Sequence, residues 1–269
     1  MTCEHFLNPS GKYLTQLYRA SLAAMLVLLF TGCASAPPKL GADTKTQIAA
    51  FSRIPPASSS VDSLALSVWQ PWIISRFNRR TAFQMVDDNG VQVLRAFSDK
   101  AASGLVQDVS IDAQATPYLR WRWKVPKLLA GADLTTRGAD DSPVRIIVSF
   151  DGDHEKLDVE DRSMASMVKL FSGRDMPYAA LMYVWDNKLP IDVIFDNAHS
   201  GRAKMVVVES GEARIGQWLN FRRNLLNDFQ RAFGEVPGKI ISVAVMTDSN
   251  RTETEAIAYY GDIVLEAAP

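Results

Sequence analysis

The segment Tyr118–Val125 (YLRWRWKV) carries side chains that could bind an anion on one face of a predicted strand. Side chains alternate across a strand, so its basic and apolar residues separate onto opposite faces. The basic set is Arg120, Arg122 and Lys124, and the apolar set is Leu119, Trp121, Trp123 and Val125. An exposed basic face could bind an anionic glycan, a lipid headgroup or a phosphate. Alternatively, the tryptophans form the core and the basic face is simply exposed to solvent. In a third arrangement the sheet is inverted, and the exposed tryptophans could stack on sugar rings.

Asp140 and Asp141 precede Arg145 by a few residues in the segment DDSPVRIIVSF. An arginine this close to paired carboxylates is expected to engage one of them in a charge-assisted pair. Arg145 would extend the basic face if its strand lay beside Tyr118–Val125, with Asp140 and Asp262 as the expected counter-charges. Alternatively, the two adjacent aspartates serve in acid/base chemistry or bind a metal, although neighbouring residues at the start of a strand point in different directions.

The candidate ligand-binding residues are Arg120, Arg122, Lys124, Asp140, Asp141, Arg145, Trp185, His199, Tyr260 and Asp262. No catalytic residue is predicted, because the sequence has no serine nucleophile elbow, P-loop or dinucleotide fingerprint. A glycosidase would need two carboxyl groups about 5–10 Å apart. Asp140 or Asp141 could pair with Asp186 or Asp262 in this way, and the sequence leaves that pairing open.

Two acidic loops are candidates for structural calcium, the one cofactor that the sequence suggests. Asp151 and Asp153 alternate in a loop as calcium ligands do, but the glycine and the distal glutamate of an EF-hand are absent. Asp248 offers a second, weaker candidate. His154 and His199 lack the spacing of a zinc site.

Runs rich in β-branched and aromatic residues, separated by turn residues, predict roughly ten strands. Asn89-Gly90 between two such runs predicts a hairpin with a type I′ turn. Two segments have helical spacing instead, Val159–Phe171 and Arg222–Phe233, and Gly234 follows the second where a C-cap belongs. These elements predict a β-sandwich or jelly roll with two helical connections.

The first 33 residues predict export and lipidation. An apolar run, Ala20–Phe30, follows Lys12 and Arg19 and ends in the lipobox Leu29–Cys33 (LFTGC). Eleven apolar residues are too few for a bilayer-spanning helix, which needs about 20. We therefore expect a cleaved signal over residues 1–32 and a lipid on Cys33.

The residues after Cys33 predict a flexible tether and the membrane in which the protein is anchored. The segment 33–60 is rich in Ala, Pro and Ser, which predicts a flexible tether before one β-sandwich domain over residues 61–269. No aspartate follows Cys33, so we expect a lipid anchor in the outer membrane, facing the periplasm. The formal net charge of −1 argues against nucleic acid as a partner, because such a protein needs a basic surface.

Six ordered segments together resemble a known bacterial envelope family, domain of unknown function 3047. They are WRWKV, DDSPVRIIVSF, PYAALMYVW, RRNLLNDFQRAFG, ISVAVMTDSNRT and AIAYYGDIVL. The resemblance covers roughly Val68 to Leu265 and implies a fold and an envelope location without an established activity. The last segment is also similar to the final strand of galactose-binding-like jelly rolls, a likeness of fold alone.

Three functions remain open from the sequence. The first is a membrane-anchored envelope lipoprotein whose β-sandwich binds a ligand, such as a glycan, without catalysis. The second is a structural or assembly partner in the envelope, and the third is a glycan hydrolase or lyase. A deep cleft with facing carboxylates would favour the enzyme, whereas a shallow sheet face with aromatic side chains would favour the binding protein.

Overall fold

Thirteen strands and two α-helices form the regular structure of residues 45–54, 68–172 and 175–269, which are the residues that this computed structural model describes. The strands are β1 (Gln70–Trp72), β2 (Ala82–Asp88), β3 (Val91–Asp99), β4 (Ala102–Ile111), β5 (Tyr118–Lys124), β6 (Arg145–Phe150), β7 (Ala179–Asp186), β8 (Ile194–Asn197), β9 (Ser200–Ser210), β10 (Leu219–Asn224), β11 (Ile240–Asp248), β12 (Glu255–Tyr260) and β13 (Val264–Glu266). The α-helices are α1 (Val159–Ser172) and α2 (Leu225–Phe233), and 3₁₀ turns lie at Phe51–Arg53 and His154–Lys156.

The strands form two sheets that pack face to face as a β-sandwich. The seven-stranded sheet has the order β1-β4-β11-β6-β7-β9-β8. The other sheet has the order β10-β5-β12-β3-β2, and β13 also pairs with β5. The pairing is antiparallel except between β7 and β9. The predicted fold class is therefore confirmed.

Local turn chemistry explains several element boundaries. Asn89 and Gly90 have φ angles of 59° and 83°, as a type I′ turn between β2 and β3 requires. Helix α2 begins three residues later than predicted, because β10 continues to Asn224, whose side chain caps the helix by accepting from Asn227 N at 3.0 Å. Gly234 (φ 72°) ends that helix in the left-handed region.

Large aromatic side chains fill the space between the sheets. Trp121 and Trp123 are 1% and 0% exposed. The ring of Trp121 lies 5.0 Å from that of Tyr183 on the opposite sheet and 5.2 Å from that of Phe221 on β10. The alternation in β5 thus places its tryptophans in the core, as predicted, and no inverted tryptophan platform forms.

Residues 45–54 belong to the sandwich, although the sequence assigned them to the tether. Phe51 is fully buried and stacks on Trp69 at 4.9 Å. The amide of Gln107 on β4 binds the backbone of this segment, donating to Gln47 O at 2.7 Å and accepting from Ala49 N at 2.8 Å. An aromatic anchor and satisfied backbone groups hold this segment, so the predicted domain boundary at residue 61 is too late.

The predicted signal, Cys33 and the remaining tether residues lie outside the described part of the chain. Within the part that is described, no helix has both the length and the apolar character needed to cross a bilayer.

Candidate functional site

The outer face of the seven-stranded sheet, turned away from the core, carries a groove. It consists of two adjoining compartments of about 250 and 320 Å³. Trp72, Ile74, Ile147, Met182 and Asn197 line both compartments, so the two are continuous. We call the space that these five residues define the outer groove.

Strand register arranges the floor of the outer groove in two rows that cross the strands. The polar row, continued by two alanines, is Asp108 (β4), Ser242 (β11), Ser149 (β6), Ala180 (β7) and Ala203 (β9). The apolar row is Val106 (β4), Ala244 (β11), Ile147 (β6) and Met182 (β7). Neighbouring positions in a row are one strand apart, about 4.8 Å. Small side chains at many of these positions form a floor that is itself largely buried, with Ile147, Ala244 and Val106 exposed by 3%, 4% and 5%.

Trp72 forms one wall of the groove and is half-buried. It lies opposite Gly104 on β4, and a Cβ atom at position 104 would come within 3.0 Å of the indole ring and 2.5 Å of Val245 O. Only glycine therefore lets the indole ring lie against β4. The loop after β1 continues the wall with Ile74, which is 46% exposed.

A charged cluster closes one end of the outer groove. The Arg145 guanidinium binds Asp248 through two contacts, from Nη2 to Oδ2 at 3.0 Å and from Nε to Oδ1 at 3.2 Å, and also donates to the carbonyl oxygen of Asp140. His199 Nε2 lies 3.0 Å from Asp140 Oδ2. Arg145 and Asp248 are buried, whereas the His199 side chain is 37% exposed to the groove end.

Burial and neighbouring charges act in opposite directions on the two carboxyl groups of this cluster. Burial raises the pKa of Asp248 to about 6, although Arg145 opposes the rise. Burial also works to raise the pKa of Asp140, but the charges of Arg145 and His199 outweigh it, and the net shift is downward. Both carboxylates are therefore ionised at neutral pH.

The predicted basic face lies on the opposite side of the sandwich, on β5 of the six-stranded sheet. Two of its three cations are paired within the chain. Arg120 Nε donates to Glu266 at 2.6 Å, and Glu266 also accepts from Arg222 Nε at 3.0 Å. Lys124 Nζ lies 2.7 Å from Asp88. The acidic partners are thus Glu266 and Asp88, and not the predicted Asp140 and Asp262. Strand pairing brings them close, because β13 pairs with β5, and β2 joins the same sheet through β3 and β12.

Arg122, the third cation, stacks on an aromatic ring. Its guanidinium carbon lies 4.5 Å from the centre of the Trp218 ring. Asp262 lines the same shallow pocket, but its carboxylate accepts hydrogen bonds from Ser52 N at 2.8 Å and Ser52 Oγ at 2.6 Å. On the basic face, Arg122 therefore makes a cation–π contact with Trp218 where the other two cations make ion pairs.

A family model described as Protein of unknown function (DUF3047) matches residues 67–264. The chain belongs to this family. The resemblance predicted from its six ordered segments is therefore confirmed. A search of curated proteins finds no match.

Several solved structures are similar to this DUF3047 chain at low identity. The glycoside hydrolase domain of Spr0440, Endo-D from Streptococcus pneumoniae R6, is 8% identical with a TM-score of 0.32, and the match covers 74% of this chain but only 21% of that one. The family 11 carbohydrate-binding module of Lic26A-Cel5E from Clostridium thermocellum is 9% identical (coverage 74% and 88%, TM-score 0.35). The xyloglucanase domain of NopAA from Sinorhizobium fredii is 10% identical (coverage 74% and 93%, TM-score 0.41). All three scores are below 0.5, so no functional conclusion rests on them.

The DUF3047 sandwich places Arg145 away from the basic face, because the condition for extending that face, neighbouring strands, is not met. Strand β6 belongs to the seven-stranded sheet, whereas β5 belongs to the other. The carboxylate partner of Arg145 is Asp248 instead of Asp140 or Asp141, because Arg145 is paired in register with Met246 on β11, two residues before Asp248.

Several other candidate residues have structural partners. Trp185 and Tyr260 are 1% and 0% exposed, so they present no surface to a ligand. Asp141 accepts from the backbone of Thr252 at 2.6 Å, and Asp186 accepts from two backbone amides of the following turn. Asp140 and Asp262 lie on opposite sides of the sandwich, so that carboxyl pair does not meet across a cleft.

The acidic loops are also engaged in local structure. Asp153 caps the turn at His154–Lys156 by accepting from Glu155 N at 3.1 Å, and Asp151 accepts from Gly152 N at 2.9 Å. Asp248 binds Arg145. Among residues 45–54, 68–172 and 175–269, no three His, Cys, Asp or Glu side chains form a group suited to a metal ion.

The outer groove is not among the sites that the sequence predicts. Trp72 and the small residues opposite the core belong to none of the predicted sites. The available signals are the alternation of large with small side chains in Ser242–Met246 (SVAVM) of β11 and the glycine inside Ala102–Val106 (ASGLV) of β4. A glycine inside a strand often marks a place where another backbone or a ligand comes close.

Proposed function

We propose that this DUF3047 protein is a lipid-anchored lipoprotein of the cell envelope whose outer groove binds a glycan chain without cleaving it. The observation that carries the proposal is the pair of parallel rows on the groove floor. A sugar ring is itself amphipathic, with apolar C–H faces and polar hydroxyl edges. The apolar row would face the C–H groups, while the polar row would bind the hydroxyls.

The groove is shaped for an extended ligand. Its rows cross at least four strands, from β4 to β7, and the two adjoining compartments lie along them. Trp72 supplies a half-buried aromatic wall where a ring can stack. These features support a chain of several sugar units that runs across the strands.

The charged end of the groove supports binding over hydrolysis. A glycosidase needs one carboxyl group as proton donor and another as base or nucleophile. Here Asp248 is held by Arg145 through both of its oxygens and also accepts from Ser142 N at 3.0 Å. Asp140 is held by His199. The two carboxylates serve to fix the end of the groove.

Replacing Trp72 with alanine is expected to weaken glycan binding at least about fivefold, because an aromatic contact contributes roughly 1 kcal/mol. The measurement is affinity gel electrophoresis of the full chain against a neutral β-glucan and chitooligosaccharides. Phe97→Ala is the matched control, since it removes a half-buried aromatic side chain from β3 of the opposite sheet. Unchanged mobility of the wild-type chain in every glycan, or equal retardation of wild type and Trp72→Ala, would exclude the groove as a glycan site.

The lipid anchor is tested at Cys33. The lipobox predicts that Cys33→Ser abolishes incorporation of labelled palmitate and releases the protein from the membrane fraction. Gly32 and Ala34 remain in this variant, so export itself should continue. Labelled palmitate in the Cys33→Ser protein would refute the anchor and leave the groove proposal standing.

A further inference from the structure

A small pocket on the six-stranded sheet, on the far side of the sandwich from the outer groove, has the features of a second binding site. It measures about 200 Å³ and is lined by Arg120, Arg122, Asn220, Gln92 and Asp262, among others. We propose that this pocket binds the carboxylate or phosphate of an acidic sugar unit, with Arg122 as its main anion-binding residue.

Arg122 forms no ion pair in the described part of the chain, although its charge acts on the nearby Asp88 carboxylate, which Lys124 binds. Within residues 45–54, 68–172 and 175–269, no acidic side chain forms an ion pair with Arg122, whereas its neighbours Arg120 and Lys124 each have one. The guanidinium lies on Trp218 instead. Stacking on an indole holds the arginine in place and leaves the N–H edge of its planar fork to bind an oxyanion in two contacts.

The fold makes room for Arg122 at Gly261. A Cβ atom at position 261 would lie 2.5 Å from Arg122 Cγ and 2.6 Å from its Nε. Gly261 N also donates to Arg122 O at 2.9 Å, which joins the two backbones at this point. An alanine at position 261 would therefore displace the Arg122 side chain from its present path.

The other pocket residues add donors and an acceptor. Arg120 makes its ion pair through Nε, and it lies two residues from Arg122 on the same face, about 6.5–7 Å away. Asn220 is directly opposite Arg122 on β10. Gln92 Oε1 is buried, and no group in the described part of the chain donates to it. A ligand hydroxyl next to the anionic group would satisfy this acceptor, so the pocket fits a hydroxylated acid of about one sugar unit.

The test is calorimetric titration of the detergent-solubilised full chain with glucuronate, glucose 6-phosphate, inorganic phosphate and glucose. We expect saturable, salt-sensitive binding of one or both sugar acids and none of glucose. Preference for glucuronate would identify a carboxylate ligand, and preference for glucose 6-phosphate a phosphate ligand. Binding of inorganic phosphate as tight as that of the sugar acids would overturn the sugar-unit assignment.

Arg122→Gln is expected to weaken that binding roughly tenfold or more, because charge-assisted hydrogen bonds are lost. Gly261→Ala should weaken it as well while keeping every charge. Arg95→Gln is the matched control: Arg95 lies outside the pocket, its guanidinium 5.5 Å from the Phe97 ring. Equal losses in Arg122→Gln and Arg95→Gln, or no saturable binding by the wild-type chain, would overturn the proposal. Trp72→Ala should leave this binding unchanged, so the two sites fail independently.

Discussion

Trp121→Ala is expected to lower the free energy of unfolding by about 3–5 kcal/mol, a large part of the roughly 5–15 kcal/mol that stabilises a typical domain. Trp121 is 1% exposed and packs against Trp123, Tyr183 and Phe221. It thus joins the two sheets and the edge strand β10. Its removal leaves a cavity that rigid sheets on both sides cannot close. Urea denaturation followed by tryptophan fluorescence and far-UV circular dichroism measures the change.

The control for Trp121→Ala is Phe77→Ala. The Phe77 side chain is 84% exposed, so its truncation should change stability by less than about 0.5 kcal/mol. A folded Trp121→Ala protein with the wild-type denaturation midpoint would contradict the assignment of Trp121 to the core.

Arg145→Met is expected to destabilise the protein by about 3–5 kcal/mol, because it leaves buried carboxylates without their cation. Arg145 is 3% exposed, and its guanidinium holds both oxygens of Asp248 and the backbone carbonyl of Asp140. Burial already raises the pKa of Asp248 to about 6, and loss of Arg145 would raise that pKa further. The deficit should therefore be largest at neutral pH and shrink as the pH falls and Asp248 takes up a proton.

A double variant separates loss of charge balance from loss of packing. Arg145→Met combined with Asp248→Leu removes both charges and should recover much of the stability lost in the single variant, since replacing a whole buried ion pair by apolar side chains is often nearly neutral. If the single and the double variant have the same free energy of unfolding at pH 7, the unpaired charge of Asp248 is not the cause of the lost stability. An Arg145→Met deficit that grows as the pH falls would contradict the proposed charge imbalance.

The sequence predicted the buried face of β5 correctly but not the ion pairs of its basic face, and the difference has a physical reason. Burial of Trp121 and Trp123 follows from the alternation of side chains along a strand, which is a local property. Pairing of Arg120 with Glu266 and of Lys124 with Asp88 depends on residues 146 and 36 positions away. A local pattern therefore predicted what is buried, and it could not predict which cation would lack an acidic partner.

The amino-acid sequence by itself determined the β-sandwich class, the family, the hairpin at Asn89-Gly90 and the helix end at Gly234, because strand alternation, turn chemistry and ordered segments act over short distances. Only the tertiary structure decided that β5 and β6 lie in different sheets and that Arg145 binds Asp248, 103 positions away. The outer groove likewise exists because register aligns small residues from four strands. Such alignment is a property of long-range strand pairing, which no single segment encodes.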